Sequence, residues 1–350
     1  MNTYDPDALR LEYRRTQSGD VRMRAIRSAI AAAEQVNDYE NLIHFHHDLI
    51  HESVFSGDRY QALIDFPQFL AATEHSPELK QQWLWDTLWM YKWILEAATE
   101  FWQIEKKQIL RWFSDYKSAL IRNGYSLRTW YEKRAIFYSY CDRAKMRLDF
   151  EDFMRAPKDA IGDGTACELD SMVRFYLEIG EREKAIEKAE IIFEKQYRTE
   201  EIPCKTYLFL LRDAMQRGLK EEAAQYAKKL RPLCSGDRFQ LEPTGVLLRY
   251  DAQTNPEIGL QLYEHNLPLR ESSRNPFLCF WFDSGAARLL KAAAEAGLSY
   301  PLNGTQTDAA GLQALSDSAL ENSRAIAEKF DARNRSDCFM SSLQEPDMLR

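Results

Sequence analysis

Apolar residues recur at helical spacing along almost the whole 350-residue sequence. They follow the pattern i, i+3, i+4, i+7, which places them on one face of an α-helix. No window shows the sustained apolar–polar alternation that is typical of half-buried strands. With 14 Gly and 12 Pro, the chain is also poor in the residues that turn-rich β folds require. The sequence therefore predicts an all-α fold with strand content near zero.

Four prolines that each follow a capping residue mark expected helix starts. Their side chains can accept a hydrogen bond from a free backbone N–H, and proline at the first helical position has no N–H to lose. The four pairs are Asp5-Pro6, Ser76-Pro77, Asn255-Pro256 and Asn275-Pro276.

A glycine followed five residues later by an alanine and then by an apolar residue occurs three times. The three segments are 57–63, 180–186 and 218–224. We expect the glycines to end one helix in a left-handed conformation and the alanines to let the next helix approach closely. Gly180 and Gly218 are 38 residues apart, as are Ala185 and Ala223. This spacing predicts tandem helical hairpins.

This spacing of glycine, alanine and apolar residues resembles the tetratricopeptide repeat (TPR). One repeat is matched by Leu169, Tyr176, Gly180, Ala185 and Ile192. The next is matched by Tyr207, Leu211, Gly218, Ala223 and Leu230, with Ala214 where the aromatic residue would stand. A degenerate third copy covers 240–268, and an N-terminal copy covers 20–75. The resemblance implies a right-handed α-solenoid of helical hairpins with a concave surface, although its period of 38 exceeds the 34 of the family.

The expected organisation has two helical regions and a joint. Residues 1–155 are predicted to form N-terminal helical hairpins, and they include a Trp-rich segment at 77–155. A joint at 156–166 contains Pro157, Gly162 and Gly164, and the solenoid is expected to bend there. Residues 167–335 are predicted to form the C-terminal TPR-like repeats, and residues 336–350 a flexible tail. One helix is expected over 77–102 and a loop over 299–307.

Seven of the eight tryptophans lie between residues 83 and 130. Trp85, Trp89 and Trp93 step by four and form one stripe of a helix, which is either core or part of a concave groove. Basic residues that follow would supply a rim for an acidic partner: Lys106, Lys107, Arg111, Arg128 and Arg134. These eight residues are the predicted partner-binding site. The same aromatic and basic pattern can also bind single-stranded nucleic acid.

Four of the six histidines fall within residues 44–51. His47 and His51 stand at i and i+4, a spacing with which two imidazoles can chelate zinc. The segment lacks an H-E-x-x-H motif and an evident third ligand. We expect a polar helix face here, with a metal site and a pH-sensitive contact as the alternatives.

Composition and the absence of known motifs exclude several classes of function. The net charge of −8 opposes binding to phosphate backbones, and six widely spaced cysteines favour a reduced, cytoplasmic protein. Acidic and basic residues interrupt the most apolar window, Trp83 to Ile104, which argues against a membrane span. Nucleotide-binding loops, nucleophile elbows and EF-hand loops are absent from the sequence, so no catalytic residue and no cofactor is predicted.

We therefore expect a non-catalytic interaction module that holds a protein or peptide in a concave groove. A neutralising or regulatory partner of a toxin or effector, like the TPR-like immunity proteins of bacteria, is the narrower hypothesis. One alternative is an α/α-toroid carbohydrate-active enzyme, with catalytic carboxylates drawn from Asp86, Glu96, Glu100, Asp115, Asp142 and Asp149. Another is a peptide-sensing, nucleic-acid-binding regulator that would use Arg22, Arg24 and Arg27.

Overall fold

A computed structural model describes residues 4–56, 59–234, 240–345 and 349. The chain is 78% helical, and its described part contains eighteen α-helices and one short β-hairpin. The prediction of an all-α fold is therefore confirmed. Many of the described helices that follow one another in sequence pack against each other. Among the described residues, no helix is both long enough and apolar enough to cross a lipid bilayer.

The helices in the first part of the chain are α1 (Pro6–Arg15), α2 (Asp20–Val36), α3 (Tyr39–Phe55), α4 (Arg59–Thr73), α5 (Pro77–Gln82), α6 (Leu84–Thr99), α7 (Lys106–Arg122), α8 (Arg128–Ser139) and α9 (Arg143–Arg155). The later helices are α10 (Thr165–Glu178), α11 (Arg182–Glu194), α12 (Cys204–Gln216), α13 (Lys220–Leu230), α14 (Leu241–Thr254), α15 (Pro256–Ser272), α16 (Pro276–Glu295), α17 (Ala309–Asn334) and α18 (Cys338–Gln344). A 3₁₀ turn at Arg231–Leu233 follows α13.

The predicted helix starts are confirmed in detail. The side chain of Asp5 accepts hydrogen bonds from the N–H groups at the start of α1, and Ser76, Asn255 and Asn275 do the same for α5, α15 and α16. A proline stands at the beginning of each of these helices. The capping residue thus satisfies donors that the first turn leaves unpaired.

The glycine and alanine positions also behave as expected. Gly180 and Gly218 have φ values of 85° and 69°, and each ends a helix in the left-handed region. Ala185 and Ala223 have no exposed surface, because α10 packs on α11 and α12 packs on α13. Gly57, the glycine of the N-terminal copy, lies outside the described residues.

Three segments differ from the prediction. The expected helix over 77–102 is broken at Trp83 into α5 and α6. The expected loop at 299–307 contains an antiparallel hairpin of β1 (Tyr300–Leu302) and β2 (Thr305–Thr307), with Tyr300 opposite Thr307. The segment expected as a flexible tail contains α18, whose Phe339 is buried and stacks on Phe330 at 4.4 Å between ring centroids.

The chain divides into two compact units. The first comprises residues 1–133 and 156–161, and the second comprises residues 134–155 and 162–350. Segment 134–155, which the sequence placed with the first region, therefore packs in the second unit. The stretch from Ala156 to Gly164 is not helical, and its Ile161 is fully buried.

In the second unit, α14 and α16 approach each other at two glycines. A Cβ atom added to Gly285 would lie 2.0 Å from the carbonyl oxygen of Gly245. A Cβ atom added to Gly245 would lie 2.1 Å from the carbonyl oxygen of Trp281. Only residues without a side chain allow this backbone contact, and it sets the distance between the two helices.

Candidate functional site

In the first unit, the tryptophans around α6 pack against the histidines of α3. The Trp83 ring lies edge-on to His44 at 4.6 Å and near His47 at 5.7 Å, and Trp93 lies edge-on to His51 at 5.7 Å. The two clusters that the sequence showed separately are therefore one aromatic contact. The predicted polar helix face is in part a packing surface.

Of the predicted tryptophan stripe, Trp85 is the most open to solvent. It is 43% exposed and stacks on Trp89 with 4.9 Å between ring centroids. Trp89 and Trp93 are half-buried, and the Lys92 ammonium lies 3.1 Å from the centroid of the Trp89 ring. The stripe is thus mainly a packing element with one exposed ring.

Two buried cations bind the segment 156–161 within the first unit. Lys92 Nζ donates to the carbonyl oxygen of Ile161 at 2.9 Å, and Arg128 Nη1 donates to that of Ala156 at 2.9 Å. Arg128 is only 9% exposed, so its guanidinium supports a loop and is not part of a solvent-facing rim. This corrects the predicted role, because helical spacing cannot show that a distant carbonyl occupies an arginine.

The other predicted rim residues do not form one group. In the second unit, Arg134 binds both oxygens of the buried Asp149, so it also differs from the prediction. Lys107 and Arg111 are exposed on α7, and Lys106 is half-buried. These three remain surface cations whose role stays a prediction.

Within the described part of the chain, the histidine pair does not belong to a group that could hold a metal ion. His47 Nδ1 lies 3.3 Å from Asp48 Oδ1, and His47 Nε2 lies 3.9 Å from Asp86 Oδ1. Over the described ranges, no three His, Cys, Asp or Glu side chains are arranged to hold a metal ion. Burial lowers the pKa of the neighbouring His46 to about 4, so this imidazole is neutral at physiological pH.

Carboxylates that the enzyme alternative would use are engaged in ion pairs. Arg59 Nη1 lies 3.5 Å from Glu96 Oε1 and 2.5 Å from Glu100 Oε1, and Lys133 Nζ lies 3.3 Å from Glu96 Oε2. Glycoside hydrolysis needs one carboxyl that stays protonated beside one that is ionised. Glu96 and Glu100 share the Arg59 guanidinium, so both of these carboxylates have a cationic neighbour.

The second unit contains a cleft of about 680 Å³. Its walls are formed by the end of α8, the start of α9 and helices α10, α12, α14, α16 and α18. Its aromatic lining residues are Tyr140, Phe209, Trp281 and Phe339. Its charged lining residues are Asp142, Arg143, Arg174, Glu178, Arg212, Asp213, Arg217, Glu242, Asp337 and Glu345. The cleft therefore joins aromatic surface with closely spaced charges of both signs.

Four arginines, which we call the arginine ladder, occupy equivalent places on successive helices. Arg174, Arg212, Arg249 and Arg288 lie on α10, α12, α14 and α16, at separations of 38, 37 and 39 residues. Each of these helices packs against the next one of the set. The regular spacing indicates that stacked hairpins place one arginine each along a common surface.

Three members of the ladder converge on a single residue, Glu345. Arg249 Nη1 lies 2.8 Å from its Oε2, and Arg212 Nη2 lies 3.4 Å from its Oε1. Gln216 Nε2 donates to Oε1 at 3.0 Å. Arg249 Nη2 and Arg288 Nη2 donate to the Glu345 carbonyl oxygen at 2.8 and 2.6 Å. The arginines therefore bind both the side chain and the backbone of Glu345.

The electrostatics of this contact favour a bound anion. Burial by itself would raise the pKa of Glu345, but Arg212 and Arg249 outweigh burial and hold that pKa below its ordinary value. Burial and the nearby Arg288 lower the pKa of Arg249. Because the arginines repel each other when partly desolvated, a carboxylate between them relieves the repulsion.

Arg174 forms the other end of the ladder. Its Nε donates to Glu178 at 3.0 Å, and its guanidinium carbon lies 4.9 Å from the centroid of the Tyr140 ring. Arg212 similarly lies 4.6 Å from the centroid of Trp281. Aromatic faces therefore hold these cations in place along the cleft.

The Cys338 thiol in the cleft wall is held in its protonated form. Burial raises the pKa of Cys338 to about 11, and its Sγ lies 3.8 Å from the carbonyl oxygen of Ser139. The reactive form of cysteine is the thiolate, so a protonated thiol is a poor nucleophile. Burial also raises the pKa of Glu242 in the cleft wall.

Sequence reasoning missed the ladder, although a signal was present. Arg212 and Gln216, like Arg249 and Gln253, form an Arg-x-x-x-Gln pair on one helix face, and the two pairs are 37 residues apart. The repeat spacing that relates the Gly and Ala positions thus also relates these polar pairs. No protein-family model matches the chain, and no match was found among curated proteins. The TPR resemblance therefore stays a prediction.

Proposed function

We propose that the chain is a non-catalytic interaction module that binds a carboxylate-bearing segment of a protein partner along the arginine ladder. The observation that carries the proposal is the convergence of Arg212, Arg249 and Arg288 on Glu345. Arginine is well suited to such a site, because its planar guanidinium donates several hydrogen bonds to a carboxylate in fixed directions.

The arginine ladder, and not the cleft as a whole, supports an acidic group at this place, because the charged lining of the cleft has six acidic and four basic residues. The whole chain carries a net charge of −8, so its general field repels anions. A local row of arginines on an acidic protein selects a partner that brings its acidic group directly to the cleft. The aromatic lining adds apolar contact area, which dominates the energetics of many interfaces.

The narrower proposal is that the partner is a toxin or effector that the chain neutralises or regulates in the cytoplasm. Its support is the lack of catalytic motifs in the sequence together with a cleft suited to recognition. All six cysteines are free thiols, which accords with a reducing compartment.

Capture from a lysate of the native host, at physiological salt, tests the proposal. We expect the full chain to retain one protein in stoichiometric amount, and Arg212→Glu to lose it. Arg155→Glu is the matched control, because Arg155 is a surface arginine of α9 in the same unit, with its side chain 72% exposed. Equal capture by Arg212→Glu, or no stoichiometric protein at all, would refute the proposal.

A further inference from the structure

Residues around Glu345 occupy the ladder in the manner of a bound peptide. Arg288 Nη2 donates to the Leu343 carbonyl oxygen at 2.8 Å, which extends the contact to the residues before Glu345. The Leu349 N–H donates to Gln253 Oε1 at 3.0 Å. One acidic residue and one aliphatic residue four positions later are therefore both recognised by the second unit.

Leu349 reaches an apolar site beside the ladder. Its side chain is 5% exposed and belongs to the buried cluster that includes Met215, Val246 and Leu247. Met215 and Val246 also line the wall that adjoins Arg212 and Arg249. The apolar site and the cationic site are thus adjacent on the surfaces of α12 and α14.

We infer that the partner segment carries an acidic residue followed four positions later by an aliphatic one, and that Glu345 and Leu349 are a resident copy of this motif with which the partner competes. The inference rests on the proposed function, because it assigns the chemistry of the segment that binds the ladder. Arg212 and Arg249 recognise the carboxylate, and the Leu349 site recognises the aliphatic side chain.

Competition follows from the geometry. The carboxylate of Glu345 is bound by Arg212, Gln216 and Arg249 at once, so a second carboxylate can bind there only when Glu345 leaves. A tethered segment is present at an effective concentration in the millimolar range for a short flexible connection. A weak partner segment is therefore excluded, and a strong one displaces the resident segment.

Binding of a synthetic peptide in trans tests this inference. The probe is the acetylated and amidated peptide of residues 344–350, labelled with fluorescein and followed by anisotropy. The receptor is the full chain with Glu345→Gln and Leu349→Ala, in which the resident segment lacks both recognised side chains. We expect saturable binding to this receptor and at least tenfold weaker binding to the wild-type chain, in which the resident segment competes.

Peptide variants separate the two recognition elements. Replacing the glutamate of the peptide by glutamine, or its leucine by alanine, should each weaken binding at least tenfold, whereas a scrambled peptide should not bind. The receptor variant Arg249→Gln should lose binding, and Arg155→Gln should retain it. The single variant Glu345→Gln, which leaves Leu349 in place, should also bind the wild-type peptide, and more weakly than the double variant does.

The inference is overturned if neither variant binds the peptide, or if the wild-type chain and the double variant bind it equally. It is also overturned if the scrambled peptide competes as well as the wild-type one. Failure of the proposed function has a different signature, since the peptide would then bind in trans while Arg212→Glu would leave partner capture unchanged.

Discussion

The substitution Gly285→Ala tests the backbone contact that positions the ladder. In an open helix, replacing glycine by alanine stabilises the protein by up to about 1 kcal/mol, because alanine has the higher helix propensity. Here the added Cβ would lie 2.0 Å from the Gly245 carbonyl oxygen, far inside any normal contact. The nearest atoms belong to the backbone, so no side chain can rotate away, and α14 and α16 must separate.

The expected cost follows from that clash. Overpacking of a well-packed core costs about 1–3 kcal/mol and occasionally more. A backbone clash belongs at the upper end of this range, so we expect a net loss of about 2–4 kcal/mol after the gain in helix propensity is subtracted. Because α14 and α16 carry Arg249 and Arg288, peptide binding should weaken in the same variant.

Equilibrium unfolding in urea measures the loss, and the placement of tryptophans separates the two units. Seven of the eight tryptophans lie between residues 83 and 130 in the first unit, so tryptophan emission reports mainly on that unit. Far-UV circular dichroism reports on helices of both units. Gly285→Ala should shift the transition of the second unit to lower urea and leave the emission transition in place.

Gly164→Ala is the control, because an added Cβ there meets nothing within 4 Å. We expect this variant to stay within about 1 kcal/mol of the wild type, because Gly164 is the N-cap of α10 and alanine is moderately less favourable than glycine at that position. If Gly285→Ala were as stable as Gly164→Ala, or more stable than the wild type, the close approach of α14 and α16 would not exist.

Three further predictions concern burial and charge. Burial raises the pKa of Asp170 to about 6, so the free energy of unfolding of the second unit should fall by up to about 3 kcal/mol as the pH rises from 4 to 7. Urea titrations at both pH values should show that Asp170→Asn abolishes this loss. If Asp170→Asn kept the wild-type pH dependence, this burial effect would be excluded. Burial lowers the pKa of His46 to about 4, so the stability that this neutral imidazole contributes is present above pH 6.5 and is lost as the pH falls to 4. In urea unfolding followed by tryptophan emission, His46→Gln should reduce this loss of stability at acid pH, and an unchanged loss would contradict the assignment. Trp83 is 6% exposed and Trp85 is 43% exposed. In denaturant unfolding, Trp83→Ala should therefore lower the free energy of unfolding by about 3–5 kcal/mol and Trp85→Ala by about 1 kcal/mol or less, and equal losses would argue against this packing.

Local patterns predicted the helical fold because their physical causes are local. A capping side chain such as Asn275 acts on the next three residues, and a glycine such as Gly180 ends its helix through its own backbone conformation. The alanine of each hairpin, Ala185 or Ala223, needs only the neighbouring helix to be buried. Such effects can be read from a single sequence.

The candidate site could not be predicted in this way, because it is formed by contacts between residues that are far apart in the chain. Arg128 and Arg249 are both arginines on amphipathic helices, yet one supports the carbonyl oxygen of Ala156 and the other binds Glu345. No local pattern distinguishes these roles, because each depends on which distant segment lies opposite. The same reason explains why residues 338–345, expected to be flexible, are held: their partners lie on α12, α14 and α16.

The sequence by itself determined most of the helices, the four capped helix starts and the repeat spacing, since each follows from interactions within a few residues or one hairpin. Only the tertiary structure decided which polar side chains meet, because a helix face has no fixed neighbour until hairpins stack. The stacking of α10, α12, α14 and α16 brings four arginines into one row and places Glu345 against three of them.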